Sequence, residues 1–174
     1  NGGHTLIRCL RPESIRAECE QSLRRLHVET IDLYQAHRPD PATPPAETIG
    51  EMQRLREEGK INAFGLCNFG CERLSEARRR GPVASLQTAL SLLDLDAREE
   101  ILPYCREYNI AVLAVSPLGR GLLTGKYDAS SRFSDLRAAD PRFAGEPFSR
   151  NLNLVQCLLA VARRVGCTMS QRAL

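Results

Sequence analysis

The segment from Ser116 to Tyr127, SPLGRGLLTGKY, has the glycine content and the cations of a loop that binds an anion. A triphosphate-binding P-loop reads G-x-x-x-x-G-K-[ST], so the Gly125-Lys126 pair would require a glycine at position 120 and a Ser or Thr at position 127. The chain has Arg120 and Tyr127 there. Backbone N–H groups in glycine-rich turns still bind anions. The segment therefore predicts an anion site that is not built for ATP hydrolysis.

Four apolar segments end at or near side chains that form hydrogen bonds. The segments are TIDLYQAH (30–37), INAFGLCN (61–68), VASLQTAL (83–90) and IAVLAVSP (110–117). The polar side chains are His37, Cys67, Asn68, Gln87 and Ser116. Ligands of parallel α/β folds bind beyond the carboxyl ends of the strands. We therefore expect one ligand site here, although each residue alone is also typical of a turn or a cap.

The sequence gives little support for metal or covalent chemistry. It contains no H-x-x-H or C-x-x-C pair, so no metal site is predicted. Cys67 and Cys71 are spaced C-N-F-G-C, which is more typical of a small buried residue and a helix-surface residue than of a redox pair. Lys126 lies in the glycine-rich segment, where an anion contact and a surface position fit its charge equally well.

Helical segments alternate with the four strands. Helices are predicted over 11–27, 45–60, 71–81 and 96–109 from the spacing of their apolar residues and from their end signals. Continuous apolar strands are typical of a parallel sheet that is covered on its faces. Two architectures fit this order, an open doubly wound sheet and a parallel (β/α)₈ TIM barrel. No G-x-G-x-x-G motif follows a strand, which weakens the first.

A long segment follows the fourth strand. Residues 118–147 are rich in Gly, Pro, Ser and Arg, and we interpret them as a functional loop because idle connections are rarely so long. One more helix is predicted over 149–166, and another begins at Thr168.

The composition is that of an ordinary globular protein. The 174 residues are 43% apolar and 26% charged, and the net charge of +3 is too small to indicate a nucleic-acid partner. No apolar run has the length of a membrane span, and the first residues lack a secretory apolar region. The seven cysteines are scattered and odd in number, which favours reduced thiols. We expect a cytoplasmic protein without a nucleic-acid or membrane partner.

Four ordered motifs together resemble the aldo-keto reductases, in particular the bacterial-type branch with LGRGLLTGK loops. They are IDLYQAHRPDP, LREEGKINAFGLCNF, EEILPYCREYNIAVLAVSPLGRGLLTGKY and PRFAGEPFSRNLNLV. The resemblance runs through nearly the whole chain and implies one partial barrel domain over residues 1–174. It also implies that the protein binds NADPH, or in some members NADH, in an extended pose and reduces small aldehydes or ketones to alcohols.

The resemblance implies a role for each strand-end residue. His37 matches the family's active-site histidine, which hydrogen-bonds the substrate carbonyl. Asn68 and Gln87 match residues that hold the nicotinamide carboxamide, and Cys67 lies where the family commonly has serine. The implied pyrophosphate contacts are Ser116, Leu118, Gly119, Arg120, Gly121 and Lys126.

The chain also departs from the family pattern. Val115 and Leu90 stand where the family usually has aromatic residues, which removes aromatic surface from the pocket. The family's catalytic tyrosine, lysine and aspartate lie on strands upstream of those recognised here, and its last strand has no match. A complete barrel needs about 250 residues, so this chain carries about four βα units. We therefore expect little or no turnover from the chain alone.

Two other functions fit the sequence. A non-catalytic protein of the same fold, similar to the family's channel-associated β subunits, or a degenerate paralogue would bind the cofactor without reducing a carbonyl. An unrelated barrel enzyme with a phosphorylated substrate would explain the glycine-rich loop but not the four ordered motifs. The oligomeric state stays open, although an unclosed sheet exposes two edges and predicts association.

Overall fold

The computed structural model describes residues 9–174, and within this range the chain forms four strands in the order β1-β2-β3-β4 and six α-helices. The strands are β1 (Ile31–Ala36), β2 (Ile61–Cys67), β3 (Ser85–Ala89) and β4 (Ala111–Val115). The helices are α1 (Pro12–Leu26), α2 (Pro45–Glu57), α3 (Cys71–Arg80), α4 (Ile101–Glu107), α5 (Gly145–Arg164) and α6 (Met169–Ala173). The sheet is parallel, which confirms the predicted α/β class.

Two predicted elements differ from the observed ones. The helix predicted over 96–109 is a short 3₁₀ turn at Asp96–Arg98 followed by α4. Pro103 explains the break, because a proline ring clashes with the carbonyl four residues earlier in a continuous helix. α5 begins at Gly145, four residues before the predicted start. The segment predicted as a loop over 118–147 thus includes the first residues of α5.

The described residues fall into two compact units. The first unit runs as far as Thr88 and also contains Arg98–Leu113, so it holds β1, β2, most of β3 and helices α1 to α4. The second unit consists of Ala89–Ala97 and Ala114–Leu174 and holds α5 and α6. No helix within residues 9–174 combines the length and the apolar composition needed to cross a membrane.

One face of the sheet in the first unit packs against the helices. Ile49, Met52 and Leu55 recur at helical spacing on α2, and all three are at most 1% exposed. The strand residues in the same core are Ala36, Ile61, Phe64, Leu66 and Leu86. Each large side chain buried in this way contributes about 1.5–3 kcal/mol. This packing decides which face of every strand is turned away from the helices.

An ion-pair network joins α1, α2 and the start of β2. The Arg16 guanidinium donates two hydrogen bonds of 2.7 Å to the Glu58 carboxylate. The Lys60 ammonium lies 3.0 Å from Glu58 and 2.7 Å from Glu20. The hydrogen bonds from Arg16, and then those from Lys60, lower the pKa of Glu58 to about 2.

The second unit has two small apolar cores of its own. Leu122, Phe143 and Phe148 form one, and the rings of Tyr127 and Phe133 pack against it. The Phe133 and Phe143 ring centroids are 4.9 Å apart in an edge-to-face arrangement. The other core consists of Leu123, Val155 and Met169. The residues after β4 are therefore a packed element rather than an open connection.

The lowered pKa of Glu58 predicts a loss of stability in acid. The ordinary glutamate pKa is 4.5 and the value in the folded chain is about 2, so the carboxylate stabilises the fold fully above pH 4.5. This contribution is lost as the pH falls through about 2. We expect the urea midpoint of the wild-type chain to fall over this pH interval. Glu58→Gln should lower the midpoint at neutral pH and make it depend less on pH in acid.

Glu57→Gln is the matched control. Glu57 is exposed and forms no ion pair with any residue of the described range, so this variant should follow the wild-type curve. Equal acid slopes for wild type and Glu58→Gln would contradict the assignment.

Candidate functional site

The register of the sheet brings three of the predicted site residues into one row. Ala36 pairs with Leu66, so His37, which follows Ala36 directly, lies level with Cys67. Cys67 pairs with Gln87. Successive side chains of a strand point to opposite faces. Since Ala36 and Leu66 lie in the helix-side core, the row of His37, Cys67 and Gln87 faces away from the helices. We call these three residues the polar row.

The strand-end interpretation needs one correction. Cys67 is the last residue of β2 and His37 follows β1, but Gln87 is the third of five residues in β3. Ser85, the first residue of β3, pairs with Gly65, which is the fifth residue of β2. β3 therefore begins further along the sheet than β2 does. Gln87 is therefore level with the other two residues although its own strand continues.

Asn68 is attached to the polar row by its backbone. Its N–H donates a 2.8 Å hydrogen bond to the Gln87 carbonyl, and its side-chain amide donates to the Cys67 sulfur at 3.1 Å. Its φ of +59° lies in the left-handed region, which asparagine tolerates better than most residues. The turn after β2 thus places a carboxamide beside the row.

A second polar layer lies two residues before the polar row along the same strands. The Gln35 amide on β1 donates a 3.0 Å hydrogen bond to the Ser85 hydroxyl on β3. Gly65 on β2 lies between them, and a Cβ at this position would be 2.1 Å from the Ser85 Oγ. Only glycine leaves room for this contact across three strands. Gln35 and Ser85 were not predicted as site residues, and the sequence spacing of 50 residues gave no signal for their pairing.

Burial keeps one member of the polar row, the Cys67 thiol, protonated. It raises the pKa of this thiol, and the positive charge of Arg38 opposes part of the shift. A thiol that stays protonated is a poor nucleophile, so the proximity of His37 does not create a Cys–His catalytic pair. The His37 ring is exposed, and neither it nor the Gln87 amide has a hydrogen-bond partner among residues 9–174. Imidazole and carboxamide groups that are free in this way suit a carbonyl or amide ligand.

A cavity of about 440 Å³ lies beside β1. Gln35, His37 and Arg38 line it from the strand and its end, and Ile15 and Glu18 line it from α1. Its volume is in the range of small-molecule pockets. Ala36 and Met52 of the helix-side core also line it, so the cavity lies between β1 and the helices, and His37 borders it from the end of the strand.

The second unit holds the glycine loop, residues 116–126. Ser116, Gly119 and Arg120 have φ near +55°, and Gly121 has φ of +97°. The N–H groups of Leu118 and Arg120 have no acceptor within the part of the chain that the structure describes. A turn with left-handed residues and free N–H groups is the backbone arrangement that binds anions. The loop therefore has backbone donors of the kind that the anion site requires, and the anion site stays a prediction.

The two cations of the glycine loop have different surroundings. The Lys126 ammonium lies 5.0 Å from the Tyr127 ring centroid and is exposed. An Arg120 guanidinium nitrogen lies 3.2 Å from the Asp140 carboxylate, whose side chain is 8% exposed. Arg142 donates to the same carboxylate at 2.7 Å. Asp140 and Arg142 were not predicted as site residues, although they flank Pro141, the first residue of the motif PRFAGEPFSRNLNLV.

Comparisons with known proteins agree on one family. The model of the aldo/keto reductase family matches residues 2–174. A probable aldo-keto reductase 1 from Glycine max is 39% identical over 165 residues, which are 94% of this chain and 47% of that protein. The chain belongs to the aldo/keto reductase family.

Solved structures show how much of that fold is present. Glycerol dehydrogenase AKR11B4 from Gluconobacter oxydans is 40% identical, with a TM-score of 0.92 over 97% of this chain and 53% of its own. A thermostable aldo-keto reductase, Tm1743, solved with the inhibitor epalrestat, is 25% identical with a TM-score of 0.73, over 95% of this chain and 52% of its own. The chain spans about half the length of these relatives. The prediction of a partial TIM-barrel fold is confirmed.

The close contact at Gly65 predicts a strong effect of a single methyl group. We expect Gly65→Ala to destabilise the chain by about 1–3 kcal/mol, because the added Cβ must displace Ser85. Chemical denaturation measures the loss. Ser85→Ala should restore only part of it, because the Ser85 backbone oxygen would also lie 2.9 Å from the new Cβ.

Gly70→Ala provides the control. Gly70 is the N-cap of α3, with φ of −73° and no atom within 4 Å of an added Cβ, so alanine should cost less than about 1 kcal/mol, through the weaker cap alone. Equal stability of the Gly65→Ala and Gly70→Ala variants would show that the Gln35–Ser85 layer is not close-packed.

Proposed function

We propose that this chain is part of an oxidoreductase that uses NADPH or NADH to reduce small aldehydes or ketones, and that the 174 residues alone have little or no turnover. The observation that carries the proposal is the polar row, in which an imidazole and a carboxamide lie level and have no hydrogen-bond partner among residues 9–174. Family membership and the name of the dehydrogenase relative support the same chemistry.

The residues of the row fit the neutral end of a nicotinamide cofactor. Gln87 and Asn68 present amide donors and acceptors that complement a ring carboxamide. The Cys67 thiol is a weaker partner than the serine that the family usually has. A nicotinamide, when bound, supplies a hydride to the carbonyl carbon.

By the family resemblance, the glycine loop of the second unit would hold the pyrophosphate of the cofactor. The free N–H groups of Leu118 and Arg120 and the positive charge of Arg120 and Lys126 suit a pyrophosphate. We propose that Ser116, Gly119 and Gly121 allow the backbone to approach it. The choice between NADPH and NADH depends on contacts to the adenosine 2′-phosphate, for which this chain has no identified residue.

His37 would orient the substrate. Its imidazole would donate a hydrogen bond to the carbonyl oxygen and so orient the carbonyl group. The proton that the oxygen finally takes needs an acid, and the resemblance places that acid on strands with no counterpart here. General acid catalysis contributes about 10² to 10⁴ in rate, which is why we expect little turnover from His37 alone.

A regulatory, cofactor-binding protein is the second candidate. Leu90 donates its N–H to the Val115 carbonyl at 3.4 Å, so the two positions that lack the usual aromatic side chains are neighbours. An aliphatic surface at both positions reduces stacking on a planar ligand. Cofactor binding without turnover in the full-length protein, over a broad panel of carbonyl compounds, would favour this candidate.

We further propose that residues 1–174 belong to one barrel domain and that the protein is cytoplasmic. All seven cysteines are free thiols, which agrees with a reducing compartment. A small carbonyl compound is the proposed substrate, and neither a nucleic acid nor a membrane is a proposed partner.

Gln87→Ala tests the cofactor assignment. We expect the dissociation constant of NADPH, measured by its fluorescence with the 174-residue chain, to rise about tenfold because one hydrogen bond to the carboxamide is lost. Gln21→Ala removes an amide from the exposed surface of α1 and should leave the affinity unchanged. Equal affinities in wild type and Gln87→Ala would contradict the proposed role of the row.

The inactivity of the isolated chain is tested separately. NADPH consumption with para-nitrobenzaldehyde should not exceed the rate without protein. Robust turnover that is lost in His37→Ala would show instead that the chain supplies its own acid.

A further inference from the structure

The glycine loop contains one residue whose conformation needs support from elsewhere. Arg120 has φ of +55° and ψ of +29°, the left-handed region that costs every residue except glycine free energy. Such conformations persist only where the surrounding structure holds them, and they are frequent at ligand clamps. The free N–H of Arg120 is one of the two groups that would contact an anion.

The Arg120 side chain is held by Asp140. Its guanidinium forms an ion pair of 3.2 Å with the Asp140 Oδ2 but adds no hydrogen bond to it, and 43% of the Arg120 side chain is exposed. The Asp140 carboxylate is 8% exposed, so it is a largely desolvated partner. An ion pair with a buried carboxylate restricts a long side chain and, through it, the backbone that carries it.

Asp140 itself is fixed by stronger contacts. Arg142 donates to it from Nε at 3.0 Å, from Nη2 at 2.7 Å and from its backbone N–H at 3.0 Å. The Arg142 carbonyl in turn accepts a 3.1 Å hydrogen bond from Asn151 on α5. The hydrogen bonds from Arg142 also lower the pKa of Asp140, so the carboxylate is charged at neutral pH. A chain of contacts therefore runs from α5 through Arg142 and Asp140 to Arg120.

We propose that Asp140 is a positioning residue of the glycine loop: by pairing with Arg120 it keeps the left-handed turn in the shape that leaves the Leu118 and Arg120 N–H groups free for a phosphate. This inference rests on the proposed function of the loop as a pyrophosphate site. Asp140 does not touch the anion. It acts through Arg120.

Inorganic pyrophosphate is the probe. We would titrate it into the isotope-labelled 174-residue chain and follow the amide signals of Leu118, Gly119, Arg120 and Gly121. Asp140→Asn should raise the dissociation constant about tenfold, since a misplaced donor loses most of its contact. Asp135→Asn is the matched control: Asp135 lies in the same segment and pairs with Arg137, but 53% of its side chain is exposed. Its affinity should stay within about twofold of wild type.

A double-mutant cycle separates positioning from general stability. In the Arg120→Gln background, Asp140→Asn should cause no further loss, because the residue through which it acts is absent. The same loss in both backgrounds would show that Asp140 only stabilises the segment, and would overturn the inference. Asp140→Glu keeps the carboxylate and should recover most of the affinity. If Asp140→Asn disturbs the packing of Phe133 and Phe143, Asp140→Glu is the variant that still tests the inference.

The remaining outcomes distinguish this inference from the proposed function. If the wild-type chain does not bind pyrophosphate at the loop, the proposed cofactor site is wrong and the inference falls with it. If the wild-type chain binds and Asp140→Asn binds equally well or more tightly, Asp140 does not position Arg120, and only the inference is overturned.

Discussion

The parallel register of β1, β2 and β3 is the constraint on which the candidate site depends. A slip of one residue would turn every side chain of a strand to the other face. In β2 that slip would expose Phe64 and Leu66, both of which are fully buried against the helices. The hydrophobic core therefore fixes the register. The polar row of His37, Cys67 and Gln87 is then aligned by the register alone. Its alignment does not depend on contacts among its own side chains.

The layer below the row adds a second restriction on the same strands. Gly65 lets the Gln35–Ser85 hydrogen bond cross from β1 to β3 over the backbone of β2. This partly buried hydrogen bond is costly to break, because the Ser85 hydroxyl, which is 2% exposed, would be left without a partner. Core packing on one face and this bond on the other thus restrain the same three strands. The His37 and Gln87 side chains can stay without hydrogen-bond partners among residues 9–174 because they are not needed for stability.

Much of this arrangement could be predicted from the sequence. Apolar strands, helical spacing in α2 and the order of βα units identify the parallel class, and polar residues near successive strand ends indicate a site. The alignment of Gln87 with Cys67 was not predictable, because apolar patterning does not fix where β3 begins relative to β2. To predict the break before α4, the sequence reading had to include the clash of the Pro103 ring with the carbonyl four residues earlier. The pairing of Arg120 with Asp140 joins residues 20 positions apart in a segment without periodicity, and no local pattern specifies such a contact.

The polar row and the glycine loop would contribute differently to the proposed chemistry. The glycine loop is cationic and presents backbone donors, so it would supply most of the affinity for a charged cofactor and would lose it with added salt. The polar row offers short-range hydrogen bonds, so it would contribute orientation more than affinity. Hydride transfer is more sensitive to orientation than binding is, because only near-attack geometries react. Val115 and Leu90 reduce the surface that holds a planar ring without altering the loop. Their replacement of aromatic residues should therefore weaken catalysis in the complete protein before it weakens cofactor binding.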